Sequence, residues 1–241
     1  PSDHLILRED EFIKAMMSGL EFVAHSPQLL TLGIKPTRPE TGYGYIQTKQ
    51  DSESVITPVL RFKEKPDLAT ASQYLAEGDY FWNSGMFIWS AQTIIGAFER
   101  YLPEVASLFA SIDRKYGTCD EQEAVNQAFN LSPSISIDYG IMEKAAQVYV
   151  RCVADLGWSD VGSWGALYSL LEKDAAANAV SGADSQFSHA GQNLIKETNP
   201  NKKVIIDGLS GYMIADTEDV LMICPLNDEN HIKEVIQQAN K

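Results

Sequence analysis

The sequence predicts an α/β fold that ends in a small β-rich module. Three observations carry this reading. Across 1–175, windows with apolar residues at helical spacing alternate with short runs that are continuously apolar or alternate apolar and polar. Between 175 and 191 the composition shifts to Ala, Ser, Gly and Asn, as in a linker or long loop. Beyond that stretch only short strand-like runs recur, until a closing amphipathic segment. The expected domains are therefore 1–175 and 176–241.

Taken in order, 8–25 reads as a helix, because Phe12, Ala15, Met16, Leu20 and Val23 recur at about 3.6-residue spacing. A strand follows at 29–34. The two prolines and two glycines of 35–44 mark a loop. Strands are expected at 45–48 and 55–65, broken by Pro66-Asp67, then a helix over 68–77. The run 81–90 reads as a buried strand with an Asn-Ser-Gly interruption. Helical patterns fill 93–101, 104–116, 121–129 and 139–146; a strand fits 148–154 and a helix 164–173. In the tail, strands are expected at 193–197, 203–207, 212–215 and 220–223. A helix over 228–241 carries Ile232, Val235 and Ile236 on its apolar side. No repeat of solenoid period is evident.

Composition narrows the function classes. Hydrophobic residues make up 44% of the 241, a globular balance that excludes wholesale disorder. The 19 Lys and Arg against 33 Asp and Glu leave a net charge of −14, with no local basic patch, so neither nucleic acid nor an anionic membrane is an expected partner. No apolar run approaches a membrane span, and no signal peptide opens the chain. Cys119, Cys152 and Cys224 are odd in number and far apart. They read as reduced thiols of a cytoplasmic protein. The histidines lack zinc spacing.

Several motifs are missing: a G-x-x-x-x-G-K-[ST] phosphate loop, a G-x-G-x-x-G turn, a G-x-S-x-G elbow and an Asp-x-Asp pair. Those present are individually weak. Asp3, in Pro1-Ser2-Asp3-His4, is an N-cap or a ligand. Asp160, in Trp158-Ser159-Asp160-Val161-Gly162-Ser163-Trp164, is a turn residue or a metal carboxylate, with Ser163 free to cap the next helix. Glu64 and Lys65 end a strand; they form a solvated charge pair or supply a hydroxyl acceptor and a phosphate-binding point charge. Asn83 lies inside an apolar strand and needs partners, from a turn or from a ligand. The glycines around Gly44 would let backbone approach a ligand. Asp138 reads as the N-cap of a helix start.

The order of these motifs is more telling than any one of them. Pro-x-Asp-His, the stretch 33–46 (Gly-Ile-Lys-Pro-Thr-Arg-Pro-Glu-Thr-Gly-Tyr-Gly-Tyr-Ile), Phe-x-Glu-Lys-Pro at 62–66, and Trp-Asn-Ser-Gly-Met-Phe at 82–87 come in succession. Ser-Ile-Asp-Tyr-Gly-Ile-Met-Glu-Lys at 136–144 and Trp-Ser-Asp-Val-Gly-Ser-Trp at 158–164 complete the series. Over essentially the whole chain this resembles the bacterial mannose-1-phosphate guanylyltransferases, or GDP-mannose pyrophosphorylases, of the single-function type. The resemblance implies a Rossmann-like nucleotidyltransferase sandwich and the transfer of GMP from GTP to mannose 1-phosphate, yielding GDP-mannose and pyrophosphate. It implies Mg²⁺ held by Asp3 and Asp160, and Lys65 on the sugar phosphate. Gly44, Glu64 and Asn83 would lie on the sugar side, and Asp138 and Glu143 in a further family motif.

The chain departs from the family in one respect. The family's glycine-rich nucleotide loop is not in this sequence, so the expected sandwich is incomplete at its N-terminus, lacks strands of a parallel sheet, and is not expected to turn over alone. Two alternatives stay open: a nucleotidyltransferase for another sugar 1-phosphate, or a non-catalytic sugar-phosphate-binding or assembly module. The β edges of the tail suit self-association, so a homo-oligomer is a further expectation.

Overall fold

The structure is a computed structural model that describes residues 1–49, 54–182 and 184–226, with Ile232, Val235 and Ile236 beyond them. Most of the helix expected over 228–241 lies outside the described residues; those three are helical and Ile232 is buried. By internal contacts the chain forms two compact units, one of Pro1 with Ile6–Trp158 and one of Ser2–Leu5 with Ser159–Lys241.

The first unit is built on a six-stranded sheet. Its elements are α1 (Glu9–Ala24), β1 (Leu29–Ile34), β2 (Gly44–Gln47), β3 (Ile56–Pro58), β4 (Arg61–Lys63), α2 (Leu68–Glu77) and β5 (Tyr80–Ile88). They continue with α3 (Ala91–Tyr101), α4 (Pro103–Ser111), α5 (Glu121–Leu131) and β6 (Val148–Val153). The strand order is β3-β6-β1-β5-β2-β4. Only β1 and β6 pair in parallel; the other pairings are antiparallel. The sheet is thus mixed, and the α/β class is as the sequence predicts.

Local chemistry explains the elements. All six residues of β1, Leu-Leu-Thr-Leu-Gly-Ile, are buried, as a central strand covered on both faces requires. Helix α2 starts where Asp67 accepts from the Thr70 amide and stops at Gly78, whose φ of +79° suits a C-terminal glycine. Ser90 caps α3 in the same way through the Thr93 amide. An exposed turn divides the single strand expected over 55–65 into β3 and β4. The helix expected over 139–146 is instead one π turn, Asp138–Met142. Around the sheet, Leu32, Tyr45, Tyr80, Trp82 and Leu156 form one core, and Ile141, Met142 and Val148 a second.

The second unit contains α6 (Trp164–Leu170), capped by Ser163 as expected, and strands β7 (Ala179–Ser181), β8 (Asp184–Ser188), β9 (Leu194–Glu197), β10 (Lys203–Asp207), β11 (Tyr212–Asp216) and β12 (Leu221–Pro225). The stretch 175–191 is therefore not a linker: it holds β7 and β8. Strands β7, β9 and β11 run parallel in one sheet, closed by antiparallel β12, while β8 and β10 pair in parallel in another. From β7 to β11 successive strands alternate between the sheets, which makes a short coil of stacked turns. The coil interior holds Ile195, Ile206 and Ile214. On the other face of the larger sheet, Leu194, Met213 and Cys224 pack with Trp164, Leu167 and Leu171, so α6 belongs to this unit's core. Asn178 and Asn193 stack inside the turns, Asn193 donating to Asn178 Oδ1 at 3.0 Å and to the Leu209 carbonyl at 2.8 Å. Among the described residues no helix is long and apolar enough to cross a membrane.

Candidate functional site

In the first unit, five of the seven residues singled out in the sequence come together. Gly44 on β2 is the direct register partner of Asn83 on β5, which on its other side opposes Gly33 of β1. Glu64 follows β4, beside β2. A Cβ at Gly44 would overlap Glu64 Oε2 and lie 3.3 Å from Asn83 Cβ. Glycine at 44 therefore makes the room in which the Glu64 carboxylate lies. Lys65 Nζ is 3.2 Å from Glu64 Oε1, and the lysine side chain is 62% exposed where that of Glu64 is 11% exposed. Asn83 Nδ2 donates to Asp138 Oδ1 at 2.9 Å. Asp138 is thus a partner of Asn83 and not the helix N-cap that its sequence context suggests; the π turn has no side-chain cap.

The strand carrying Asn83 is bulged. Thr31 of β1 pairs with Phe87, yet Gly33 pairs with Asn83, so Ser84, Gly85 and Met86 oppose Leu32 alone. Side chains replace the lost ladder bonds: Ser84 Oγ donates to the Leu32 carbonyl at 2.7 Å, and Thr31 Oγ1 donates to Asn83 Oδ1 at 2.9 Å. Gly85, at φ +69°, takes the turn that a Cβ would strain. The expected Asn-Ser-Gly interruption is this bulge, and it re-aims Asn83 out of the ladder.

The electrostatics are those of a half-buried acidic cluster. Burial pushes the Glu64 carboxyl above its ordinary range; the hydrogen bond from Lys65 opposes this, and the nearby Asp138 and Glu143 carboxylates reinforce it. The cluster offers carboxylate acceptors, one amide donor and one exposed ammonium. That set matches a ligand with several hydroxyls and a single anionic group.

The second unit brings Asp3 and Asp160 onto paired backbone. Leu5 and Ser159 form an antiparallel bridge, with N–H···O distances of 2.9 and 3.1 Å. His4 lies within electrostatic reach of both carboxylates; burial lowers its pKa while Asp3 and Asp160 pull the other way. Asp3 stands six residues ahead of α1 and does not cap it; Arg8 occupies that place without a side-chain cap bond. Asp160 Oδ1 accepts from the Gly162 amide at 3.1 Å. Among the described residues no three His, Cys, Asp or Glu gather as a metal cluster. Two hard carboxylates on adjacent paired segments fit Mg²⁺ when phosphate and water complete the shell.

One of these residues, and the neighbour of another, share a backbone signature that residue type does not announce. Lys65 has φ +42° and Val161, next to Asp160, has φ +50°. A β-branched residue in the left-handed region is a true outlier, costing on the order of 1–2 kcal/mol. Such strain clusters where a turn must present a neighbouring group. Thr31 was missed by the sequence reading; its signal is a lone polar residue in the otherwise apolar Leu29–Ile34 strand.

Known proteins share this architecture and much of this sequence. The chain is 37% identical over 241 residues to the xanthan biosynthesis protein XanB of Xanthomonas campestris pv. campestris, covering 99% of this chain and 50% of that protein. It is 32% identical over 247 residues to the mannose-1-phosphate guanylyltransferase of Escherichia coli K12, covering 98% and 50% respectively. The chain thus spans about half the length of the curated relatives it matches. The crystal structure of a mannose-1-phosphate geranyltransferase from Thermus thermophilus superposes with a TM-score of 0.86 at 29% identity, over 100% of this chain and 68% of that one. Because the family model for nucleotidyl transferases matches residues 1–177, which hold both carboxylate groups and the bulged strand, the chain belongs to the nucleotidyl transferase family.

Proposed function

We propose that this chain carries the sugar-phosphate and metal residues of a reaction in which GMP passes from GTP to mannose 1-phosphate, giving GDP-mannose and pyrophosphate. The observation that carries it is the convergence of Glu64, Lys65, Asn83 and Asp138 around Gly44, in a chain whose relatives include several named mannose-1-phosphate guanylyltransferase. Glu64 and Asp138 accept hydrogen bonds from sugar hydroxyls, and Asn83 donates one. Lys65 sets a point charge against the sugar phosphate. A phosphate oxygen of the sugar forms the new bond to the α-phosphorus of GTP, and pyrophosphate leaves with the electrons of the bond that breaks. Asp3 and Asp160 would hold Mg²⁺, which when bound neutralises charge on the phosphates.

Calorimetric titration of the chain with mannose 1-phosphate, glucose 1-phosphate and fucose 1-phosphate tests the sugar side directly. Mannose 1-phosphate should bind most tightly, and Lys65→Met should weaken it by about 10-fold or more, the value of one charge-assisted contact. Preference for another sugar would reassign the substrate. A folded chain that binds none of the three would leave the non-catalytic assembly module as the better reading. Pyrophosphate release from GTP and mannose 1-phosphate with Mg²⁺ tests the transfer itself.

A further inference from the structure

The geometry points to Thr31 as a positioning residue that sets which end of the Asn83 amide faces the ligand. The inference rests on the sugar-side reading above and deepens it. Thr31 is fully buried, in the middle of β1, and so is placed to act through Asn83 and not on a ligand directly. Its hydroxyl has one hydrogen. The short bond from Oγ1 goes to Asn83 Oδ1 at 2.9 Å; the contact with the Met86 carbonyl is longer, at 3.4 Å. The Gly85 amide approaches the same Oδ1 at 3.4 Å, the upper limit of a useful bond. Among the described residues Thr31 therefore makes the one short hydrogen bond that occupies Oδ1.

The consequence is a fixed polarity. With Oδ1 engaged inside the bulge, Asn83 turns Nδ2 outward. One of its hydrogens goes to Asp138 Oδ1, and the other is given to no described residue. Asn83 is then a donor only, and it meets a sugar oxygen acting as acceptor. The Glu64 carboxylate and the remaining Asp138 oxygen are acceptors only, and they meet hydroxyl hydrogens. A flipped amide would set a carbonyl oxygen against the Asp138 carboxylate and an NH₂ against two donors. Thr31 thus divides the cluster into donor and acceptor positions, which is how a pocket distinguishes sugars that differ in the direction of a hydroxyl.

Thr31→Val keeps the shape and removes the hydroxyl; Thr31→Ser keeps the hydroxyl. Affinity for mannose 1-phosphate is read by calorimetry in both variants, in Asn83→Ala, and in the Thr31→Val/Asn83→Ala pair. Thr31→Val should bind about 10-fold more weakly, the worth of one buried hydrogen bond, and Thr31→Ser about as the parent does. In the Asn83→Ala background Thr31→Val should cost nothing further, because its effect passes through the amide. Parent-like binding by Thr31→Val, or a loss that persists without Asn83, overturns the assignment. A second readout does not depend on the ligand: the Asn83 side-chain amide protons should exchange faster in Thr31→Val than in the parent, and equal rates overturn it. If the parent chain binds no sugar phosphate, the functional reading fails, and amide exchange still decides the role of Thr31.

Discussion

Replacing Gly44 by alanine perturbs the candidate site at its tightest point. The added Cβ would overlap Glu64 Oε2, and it would press on Asn83 Cβ at 3.3 Å. Asn83 is held by Thr31 and Asp138 and cannot yield, so Glu64 must move. Restoring van der Waals separation takes a displacement of roughly 1 Å. A hydrogen bond of ordinary length does not survive that shift. Losing one carboxylate–hydroxyl bond is worth about 1.5–3 kcal/mol, so mannose 1-phosphate should bind roughly 10- to 150-fold more weakly. The backbone at 44 is ordinary strand, so the thermal midpoint should change little by comparison. The assay is calorimetric titration of Gly44→Ala beside Gly44→Ala/Glu64→Ala, the second of which should bind no worse than the first. Unchanged affinity in Gly44→Ala would refute the placement of Glu64 against the ligand.

Three further outcomes follow from the same structure. Because burial raises the Glu64 pKa in the folded chain, its acid form contributes stability fully below the ordinary value of 4.5, and that contribution is lost as pH rises through the higher folded value. Glu64→Gln should therefore melt above the parent near pH 7, with the gain vanishing in acid, and a gain that persists at low pH would contradict this. Asn193→Ala removes donors to Asn178 and Leu209 and the acceptor of the Tyr212 amide, so urea unfolding should show a loss of about 2–4 kcal/mol in the second unit; a loss under ~1 kcal/mol would mean the stacked asparagines are incidental. A thiol reagent at mildly alkaline pH should label Cys119 rapidly and Cys152 slowly, because burial pushes the Cys152 thiol up from 9.0 to about 11 against the pull of Arg151 and Lys35; rapid labelling of Cys152 would contradict its placement.

Much of the first unit was legible because its elements obey one period at a time. Helix 68–77 and strand 29–34 stand where apolar spacing and punctuation put them. The coil of the second unit was not legible as a repeat, and the reason is physical. Its inward positions, Val180, Ile195 and Ile214, are separated first by one turn and then by a longer one, because the loop through Asn199–Lys202 lengthens the second. A solenoid read by fixed period fails when loop length varies and only the stacked interior is constrained. The strands β7 and β8 were hidden for a related reason: small residues such as Ala179 lie at the crowded stack, and small residues in sequence look like a linker. In the site, Asp138 was legible as important but not in its partner, since capping is a local rule and the Asn83 bond spans 55 positions.

At the candidate site local preference is overruled in three places, as it also is at Ala177, His189 and Gln192 in the coil of the second unit. Lys65 precedes a proline, where extended backbone is favoured, and yet stands at φ +42°. Val161 is β-branched and yet occupies the left-handed region beside Asp160. Asn83 borders a break in the strand ladder, where the buried Thr31 hydroxyl holds its amide and the buried Ser84 hydroxyl holds the Leu32 carbonyl. Each departure costs stability that an ordinary turn or strand would keep, and each is next to a side chain assigned to the ligand or the metal. Residue type alone favoured the bland reading of Glu64-Lys65 as a solvated strand end. The left-handed backbone at Lys65 does not choose between the two readings, since Ala177, His189 and Gln192 adopt it too, and the loss of mannose 1-phosphate binding expected in Lys65→Met is what separates them.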